Sequence, residues 1–205
     1  MSGPRRIGLF GGTFDPPHLA HLALARLARD ALGLDELRWI PAGQPWQKPG
    51  RRLAESAHRV AMVQALLGAQ PGFVVDTREL DRAGPSYTID TVRELAREDP
   101  GAELFLVIGQ DQYARFDTWR EWPALLEAVT LAVAGREGVA PAAPPALAAV
   151  PHRLKALPLP AMPISSTAAR EAIASGQDVV ALAGPEVARY IARHHLYAAK
   201  DAAEH

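Results

Sequence analysis

The densest chemistry in this 205-residue chain lies in Gly11-Gly12-Thr13-Phe14-Asp15-Pro16-Pro17-His18-Leu19-Ala20-His21. Two glycines let backbone N–H groups approach an anion closely. The segment separates a short apolar run, Ile7 to Phe10, from an amphipathic run that starts at Leu19. Strand-to-helix loops of this kind are where doubly wound sheets bind ligands. A helix N-terminus adds unsatisfied N–H groups and a partial positive charge. His18 and His21 stand three apart at that helix start, so both can face one point. Neutral imidazoles donate hydrogen bonds to a phosphate without a permanent charge. The competing reading of either His is a helix cap or a solvated side chain. Gly109 and Asp111 follow a second apolar run, Leu104 to Ile108. There the glycine permits close approach and the carboxylate can accept from ribose hydroxyls. The alternative is a turn in which Asp111 caps the next helix. Lys48 reads either as a phosphate contact or as a solvated surface lysine.

Several chemistries are excluded. The first loop has neither the G-x-G-x-x-G spacing of a dinucleotide fingerprint nor the G-x-x-x-x-G-K pattern of a P-loop. The chain has no cysteine, so disulfides, thiolate nucleophiles and zinc–thiolate sites are ruled out. H-E-x-x-H is absent, and two histidines are too few for a zinc site. No protein metal site is expected. His194 and His195 are adjacent near a helix end and point in different directions, which disfavours a shared metal. One packing inward and one near the negative helix terminus is the better reading.

The elements that must hold these residues can be read from periodicity. Strands are expected at Ile7 to Phe10, Leu37 to Pro41, Phe73 to Asp76, Glu103 to Ile108, Val129 to Ala134 and Leu154 to Leu157. Helices are expected at Leu19 to Leu32, Ala57 to Leu67, Thr88 to Glu98, Thr167 to Ser175 and Pro185 to His194, with a short one beginning at Leu125. Gly33 and Gly68 are their stops, and Pro185 suits a first helical turn. Near-continuous apolar strands suit a parallel sheet covered on both faces. The predicted fold is α/β: a doubly wound, mostly parallel, Rossmann-like sheet with helices on both faces. A single domain over 1–205 is expected. Residues 138–150, rich in Ala and Pro, read as a surface loop with a helical turn near 146–150, and 199–205 as a disordered tail.

Lys and Arg number 22 against 23 Asp and Glu, a net charge of -1. That balance disfavours a nucleic-acid or anionic-membrane binder. No run approaches the about 20 apolar residues of a membrane helix. The Arg5-Arg6 start has too short an apolar follow-on for an export signal. A cytoplasmic protein is expected.

The segment Gly11 to His21 resembles the Gly-Gly-(Ser/Thr)-Phe-Asp-Pro-x-His-x-Gly-His signature of the nucleotidylyltransferase superfamily. Its second signature, Ile-Ser-x-Thr-x-x-Arg, is matched by Ile164-Ser165-Ser166-Thr167-Ala168-Ala169-Arg170. Further segments resemble the bacterial nicotinate-nucleotide adenylyltransferases: Ile40 to Lys48, Pro85-Ser86-Tyr87-Thr88, Ile108-Gly109-Gln110-Asp111, Phe116-Asp117-Thr118-Trp119, and Tyr190-Ile191 with Leu196-Tyr197. The chain departs from the pattern at Ala20, where glycine is usual, and at Arg120, where an aromatic is common. Arg136 matches only loosely.

The resemblance implies a reaction in which ATP and nicotinate mononucleotide give deamido-NAD and pyrophosphate. It implies His18, His21 and Arg170 as catalytic groups. It implies Gly11, Gly12, Thr13, Gly109, Asp111, Ile164, Ser165, Ser166 and Thr167 around ATP. Lys48, Tyr87, Thr88, Trp119 and Arg120 would serve the acceptor. Trp119 would stack on the nicotinate ring, and backbone N–H groups near Thr88 and Arg120 would receive its carboxylate. Mg²⁺ is expected to arrive with ATP. The alternatives are a sister transferase using nicotinamide mononucleotide or phosphopantetheine, and a non-catalytic nucleotide-binding module. For the second signature alone, a plain capped helix is the competing reading.

Overall fold

A computed structural model describes residues 3–43, 53–136 and 139–198. Six strands form one sheet: β1 (Arg6–Gly12), β2 (Glu36–Pro41), β3 (Phe73–Val75), β4 (Glu103–Gly109), β5 (Thr130–Arg136) and β6 (Leu154–Leu159). Their order is β3-β2-β1-β4-β5-β6, and every neighbouring pair is parallel. The helices are α1 (Leu19–Leu32), α2 (Ser56–Leu67), α3 (Arg78–Asp81), α4 (Thr88–Glu98), α5 (Gln110–Tyr113), α6 (Trp122–Ala128), α7 (Pro145–Ala148), α8 (Ser166–Ala174), α9 (Val180–Ala183) and α10 (Pro185–Arg193). A 3-10 turn, Phe116–Thr118, lies between α5 and α6.

Burial on both faces explains the apolar strands. In β4, Phe105 and Val107 pack with Leu22, Ala25 and Met62 of α1 and α2. Leu104, Leu106 and Ile108 of the same strand pack oppositely, with Val92, Leu95 and Leu125 of α4 and α6. Alternate side chains thus feed two cores, and a polar residue on either side would be buried without water. The helix bounds follow local signals. Gly33 closes α1 in the left-handed region at φ 58°, its N–H bonded to the carbonyls of Arg29 and Asp30.

Some elements differ from expectation. The helix expected to begin at Leu125 starts at Trp122, because Pro123 suits a first turn and Glu121 (φ 51°) reverses the chain before it. α3, α5 and α9 span four residues each, too few for periodicity to reveal. The Ala/Pro-rich loop holds the one-turn helix α7 close to the anticipated place. β6 runs past Pro158, which its position at the sheet edge tolerates. The expected 199–205 tail lies outside the described residues.

Topology sets the site. The chain leaves β1 toward β2 and β3 on one side and returns to β4 on the other. With Leu9 registered on Leu106, Gly11-Gly12 and Ile108-Gly109 end side by side. That reversal opens a crevice at the carboxyl ends of the strands.

Leu37 of β2 is fully buried, registered between Gly8 and Phe73. Leu37→Ala should lower unfolding free energy by about 2–5 kcal/mol. Urea denaturation checks this: the midpoint should fall with the slope unchanged, and a loss below about 1 kcal/mol would contradict the packing.

Candidate active site

The first wall of the crevice is the turn from β1 into α1. Phe14 is buried and sits at φ 48°, a strained position for a non-glycine residue. The rings of Phe10, Trp39 and His21 hold it at centroid distances of 5.6, 5.2 and 5.2 Å. A Cβ on Gly12 would come within 3.0 Å of the Phe14 ring, whereas one on Gly11 would meet only the Ile40 carbonyl at 4.0 Å. A side chain at Gly12 would therefore have to displace the Phe14 ring, whereas Gly11 has room for one.

His18 and His21 form a capping box at the start of α1. The His21 N–H donates to Nδ1 of His18 at 3.4 Å, and the His18 N–H donates to Nδ1 of His21 at 3.2 Å. Here imidazoles take the places that Ser/Thr and Glu/Gln usually fill. Both Nδ1 atoms act as acceptors, so each neutral ring carries its proton on Nε2. The rings stack at 3.6 Å between centroids and 19° between planes. The cap reading and the donor reading thus hold together: one nitrogen caps and the other is a donor. Burial pushes His18 down to about 4, so it is neutral near pH 7.

The second wall is α8. Ser165 is its N-cap, accepting from Ala168 N–H at 3.1 Å. Ser166 Oγ donates to the Pro16 carbonyl at 2.9 Å, across 150 positions. Arg170 donates from Nη1 to the Asp15 carbonyl at 2.6 Å and from Nη2 to Thr167 Oγ1 at 3.0 Å. Ile164 leads into this turn and is half-buried. The two signatures are therefore joined directly, and the N-termini of α1 and α8 border one loop. The Asp15–Pro16 peptide is cis.

The third wall is the end of β4 with the start of α4. A pocket here is lined by Gly11, Gly12 and Thr13 together with Thr88 and Trp119. Trp119 stacks on Phe116 at 5.1 Å, and its buried indole N–H has no hydrogen-bond partner. No side chain caps α4: the carbonyl of its N-cap Tyr87 accepts from the Asp90 and Thr91 N–H groups at 3.1 and 3.4 Å, and the N–H groups of Thr88 and Ile89 precede the first helical bonds. Arg120 lies over the Tyr87 ring at 4.5 Å, a cation–π contact that ties the 119–121 turn to the helix start. Gly109 precedes α5, and its N–H donates to Gln112 Oε1 at 3.2 Å. Asp111 is exposed inside α5, so the expected alternative, Asp111 as cap, is corrected: Gly109 holds that position. Ala20 stands in the first turn of α1. Lys48 lies outside the described residues, as does the side chain of Arg136.

Sequence reasoning missed the polar groups beneath these walls. Arg59 is buried, donating to the Thr13 carbonyl at 2.9 Å and the Ala54 carbonyl at 3.2 Å. Burial pushes its guanidinium below the ordinary value, opposed by Asp15. Its signal was available: Arg59, Met62, Val63 and Leu66 share the buried stripe of α2, and a lone arginine there needs partners. Glu79, carried by the unforeseen α3, lines the pocket and accepts from Thr91 Oγ1 at 2.9 Å. Burial raises its carboxyl above the usual range. Gly43 packs so tightly that a Cβ would sit 2.2 Å from the Glu79 carbonyl. No local pattern marks these contacts. Among the described residues, no group of three or more His, Cys, Asp or Glu could hold a metal ion.

The cytidylyltransferase-like family model matches residues 9–172, which include both signatures and five of the six strands in full. The chain belongs to this family of nucleotidyltransferases. Within it, the likeness is to nicotinate-nucleotide adenylyltransferases. A Methylibium petroleiphilum protein named as a probable enzyme of that kind is 57% identical over 201 residues, covering 96% of this chain and 94% of its own. One from Bordetella petrii with the same name is 48% identical over 198 residues, covering 94% and 99%. A solved structure of Plasmodium falciparum nicotinic acid mononucleotide adenylyltransferase complexed with NaAD superimposes with a TM-score of 0.76. It covers 94% of this chain and 97% of its own at 18% identity, a likeness of fold.

The depressed His18 value predicts a pH effect. The folded group stays neutral to about 4, whereas the unfolded one protonates near 6.5. Stability from this group is full above 6.5 and is lost as pH falls toward 4, by about 3 kcal/mol. Urea denaturation from pH 7 to 4 should show this loss, and His18→Asn should reduce it. A His18 ring titrating near 6.5 by NMR in the free protein would contradict the burial.

Proposed function

We infer that this crevice transfers the adenylyl group of ATP to nicotinate mononucleotide, giving deamido-NAD and pyrophosphate. The observation that carries the reading is the direct bonding of Ser166 and Arg170 to the Asp15–Pro16 backbone. It gathers two helix N-termini, two histidines and a guanidinium at one loop, beside a pocket lined by an aromatic face.

In the transfer, a phosphate oxygen of the mononucleotide attacks the α-phosphorus of ATP in line. One P–O bond forms as the bond to the β-phosphate's bridging oxygen breaks, and pyrophosphate leaves. Such chemistry needs positioning and charge stabilisation more than covalent help. The Nε2–H donors of His18 and His21 supply neutral hydrogen bonds to the reacting phosphates. The helix starts at α1 and α8 add backbone N–H groups. Arg170 and the hydroxyls at Ser165 and Thr167 serve the ATP phosphates, and Ser166, its proton given to the Pro16 carbonyl, holds the loop beside them. Gly109 allows close approach and Asp111 receives ribose hydroxyls. Mg²⁺ enters as part of the ATP substrate, bound to its phosphates. Among the described residues no helix is long and apolar enough to cross a membrane. The reaction is assigned to the cytoplasm as part of this reading.

The acceptor's ring is assigned to the pocket at Trp119. Its carboxylate is received by N–H groups at the uncapped start of α4, around Thr88, and at Arg120. Pyrophosphate release with ATP and nicotinate mononucleotide tests the assignment. Nicotinamide mononucleotide and phosphopantetheine are the control acceptors. Tight ATP binding with no release for any acceptor would instead mark a non-catalytic module.

His21→Ala should cut turnover about a hundredfold, the usual effect of removing one donor aimed at developing charge. It also breaks the capping box, costing about 1 kcal/mol of stability. His21→Gln restores a reach-back cap without the imidazole, so stability should return while turnover does not. Recovery of turnover in His21→Gln would reduce His21 to a cap.

Acid and amide acceptors should differ by at least about a hundredfold in kcat/KM. Two N–H donors match a carboxylate, whereas a carboxamide presents an NH₂ to one of them and leaves a donor unpaired. Trp119→Ala should weaken both acceptors and largely keep their ratio. Equal efficiency in the wild type would overturn the proposed receptor.

A further inference from the structure

We propose that Tyr197 is a positioning residue of this site, acting through Asp15 on Arg170. The proposal rests on the transfer reaction inferred above. Tyr197 lies beyond α10, far in sequence from the first loop, yet its hydroxyl donates to Asp15 Oδ1 at 2.7 Å across 182 positions. Asp15 is 1% exposed, so this carboxyl must find its partners inside the protein. The Ala54 N–H donates to the same oxygen at 3.2 Å. The carbonyl of the same residue accepts from Arg170 at 2.6 Å. Asp15 is therefore a joint: its side chain is held by Tyr197 and Ala54, and its backbone holds Arg170.

The path that delivers Tyr197 is strained and well anchored. His195 and Tyr197 both occupy the left-handed region, at φ 49° and 63°. Non-glycine residues persist there only where surrounding contacts impose it. α10 is fixed on α2: Val187, Ala188 and Ile191 are buried, and Tyr190 OH meets His58 Nδ1 at 3.0 Å. The His194 ring lies 4.2 Å from that of Tyr190. The Leu196 N–H then returns to the Ile191 carbonyl at 3.1 Å, turning the next residue back toward the crevice. Burial, then the adjoining Asp15, push the Tyr197 phenol well above its ordinary value, so it stays a donor through the working pH range. The ring packs against the core, and the hydroxyl meets Asp15 Oδ1 and, at 4.0 Å, Met62 Sδ. The two contributions can therefore be separated by removing one oxygen.

Tyr197→Phe keeps the ring and deletes the bond. The melting temperature should change little, KM for ATP should rise about tenfold, and KM for nicotinate mononucleotide should stay within twofold. In an Arg170→Ala background the same substitution should alter kcat/KM for ATP by less than twofold, because the group it positions is gone. A Tyr197→Phe enzyme within twofold of wild type for ATP would overturn the proposal. So would an equal tenfold loss in both backgrounds, or a loss shared by both substrates that follows a lowered melting temperature. Calorimetric ATP binding without acceptor, over the same four variants, gives a readout independent of the acceptor. If the wild type releases no pyrophosphate with nicotinate mononucleotide, the assigned reaction fails, and the ATP-binding cycle still decides Tyr197. Wild-type protein that does not bind ATP overturns both.

Discussion

The contact on which the site depends is the pair of hydrogen bonds from α8 to the backbone between β1 and α1. Ser166 donates to the Pro16 carbonyl and Arg170 to the Asp15 carbonyl. A loop between a strand and a helix has carbonyls with no partner in either element, and burying them unpaired is costly. Satisfying them from α8 brings a hydroxyl and a guanidinium to a place where backbone N–H groups already gather. The demand for hydrogen-bond satisfaction and the joining of the two signatures are thus met by the same bonds.

The sheet makes that meeting possible. Six parallel strands need crossover connections that cover both faces, so all strands expose their carboxyl ends at one rim. The order of strands reverses between β1 and β4, and the connections diverge there. Residues from β1, the start of α4, the end of β4 and the start of α8 reach the rim from four directions. None of these segments is close to all the others in sequence, but each emerges from a rigid element.

The electrostatics of the rim differ from those of a simple basic patch. The chain is nearly neutral overall, and two of the groups we assign to the phosphates are imidazoles. Burial keeps His18 neutral, and mutual capping assigns its proton to Nε2. A neutral donor in a partly desolvated place holds an anion without the desolvation cost of a second fixed charge. The full positive charges, Arg59 and Arg170, are tied to carbonyls of the loop and shape it.

Much of the fold was legible because its causes are local. The bounds expected for α1 and α4 coincide with those observed, since apolar spacing, Gly33 and the turn before Thr88 act within a few residues. The strand-end loops and both signatures were legible for the same reason. Short α3 was not, and with it Glu79 was lost, because four residues carry no measurable period. Arg59 left a trace as a charge in an apolar stripe, but its target, the Thr13 carbonyl, lies 46 positions away. Tyr197 and Arg170 meet Asp15 across 182 and 155 positions. The sequence by itself determined which segments are strands, helices and strand-end loops, through backbone hydrogen bonding and side-chain periodicity. The tertiary structure alone decided which buried polar atoms pair, because the strand order chooses which loop ends become neighbours at the rim.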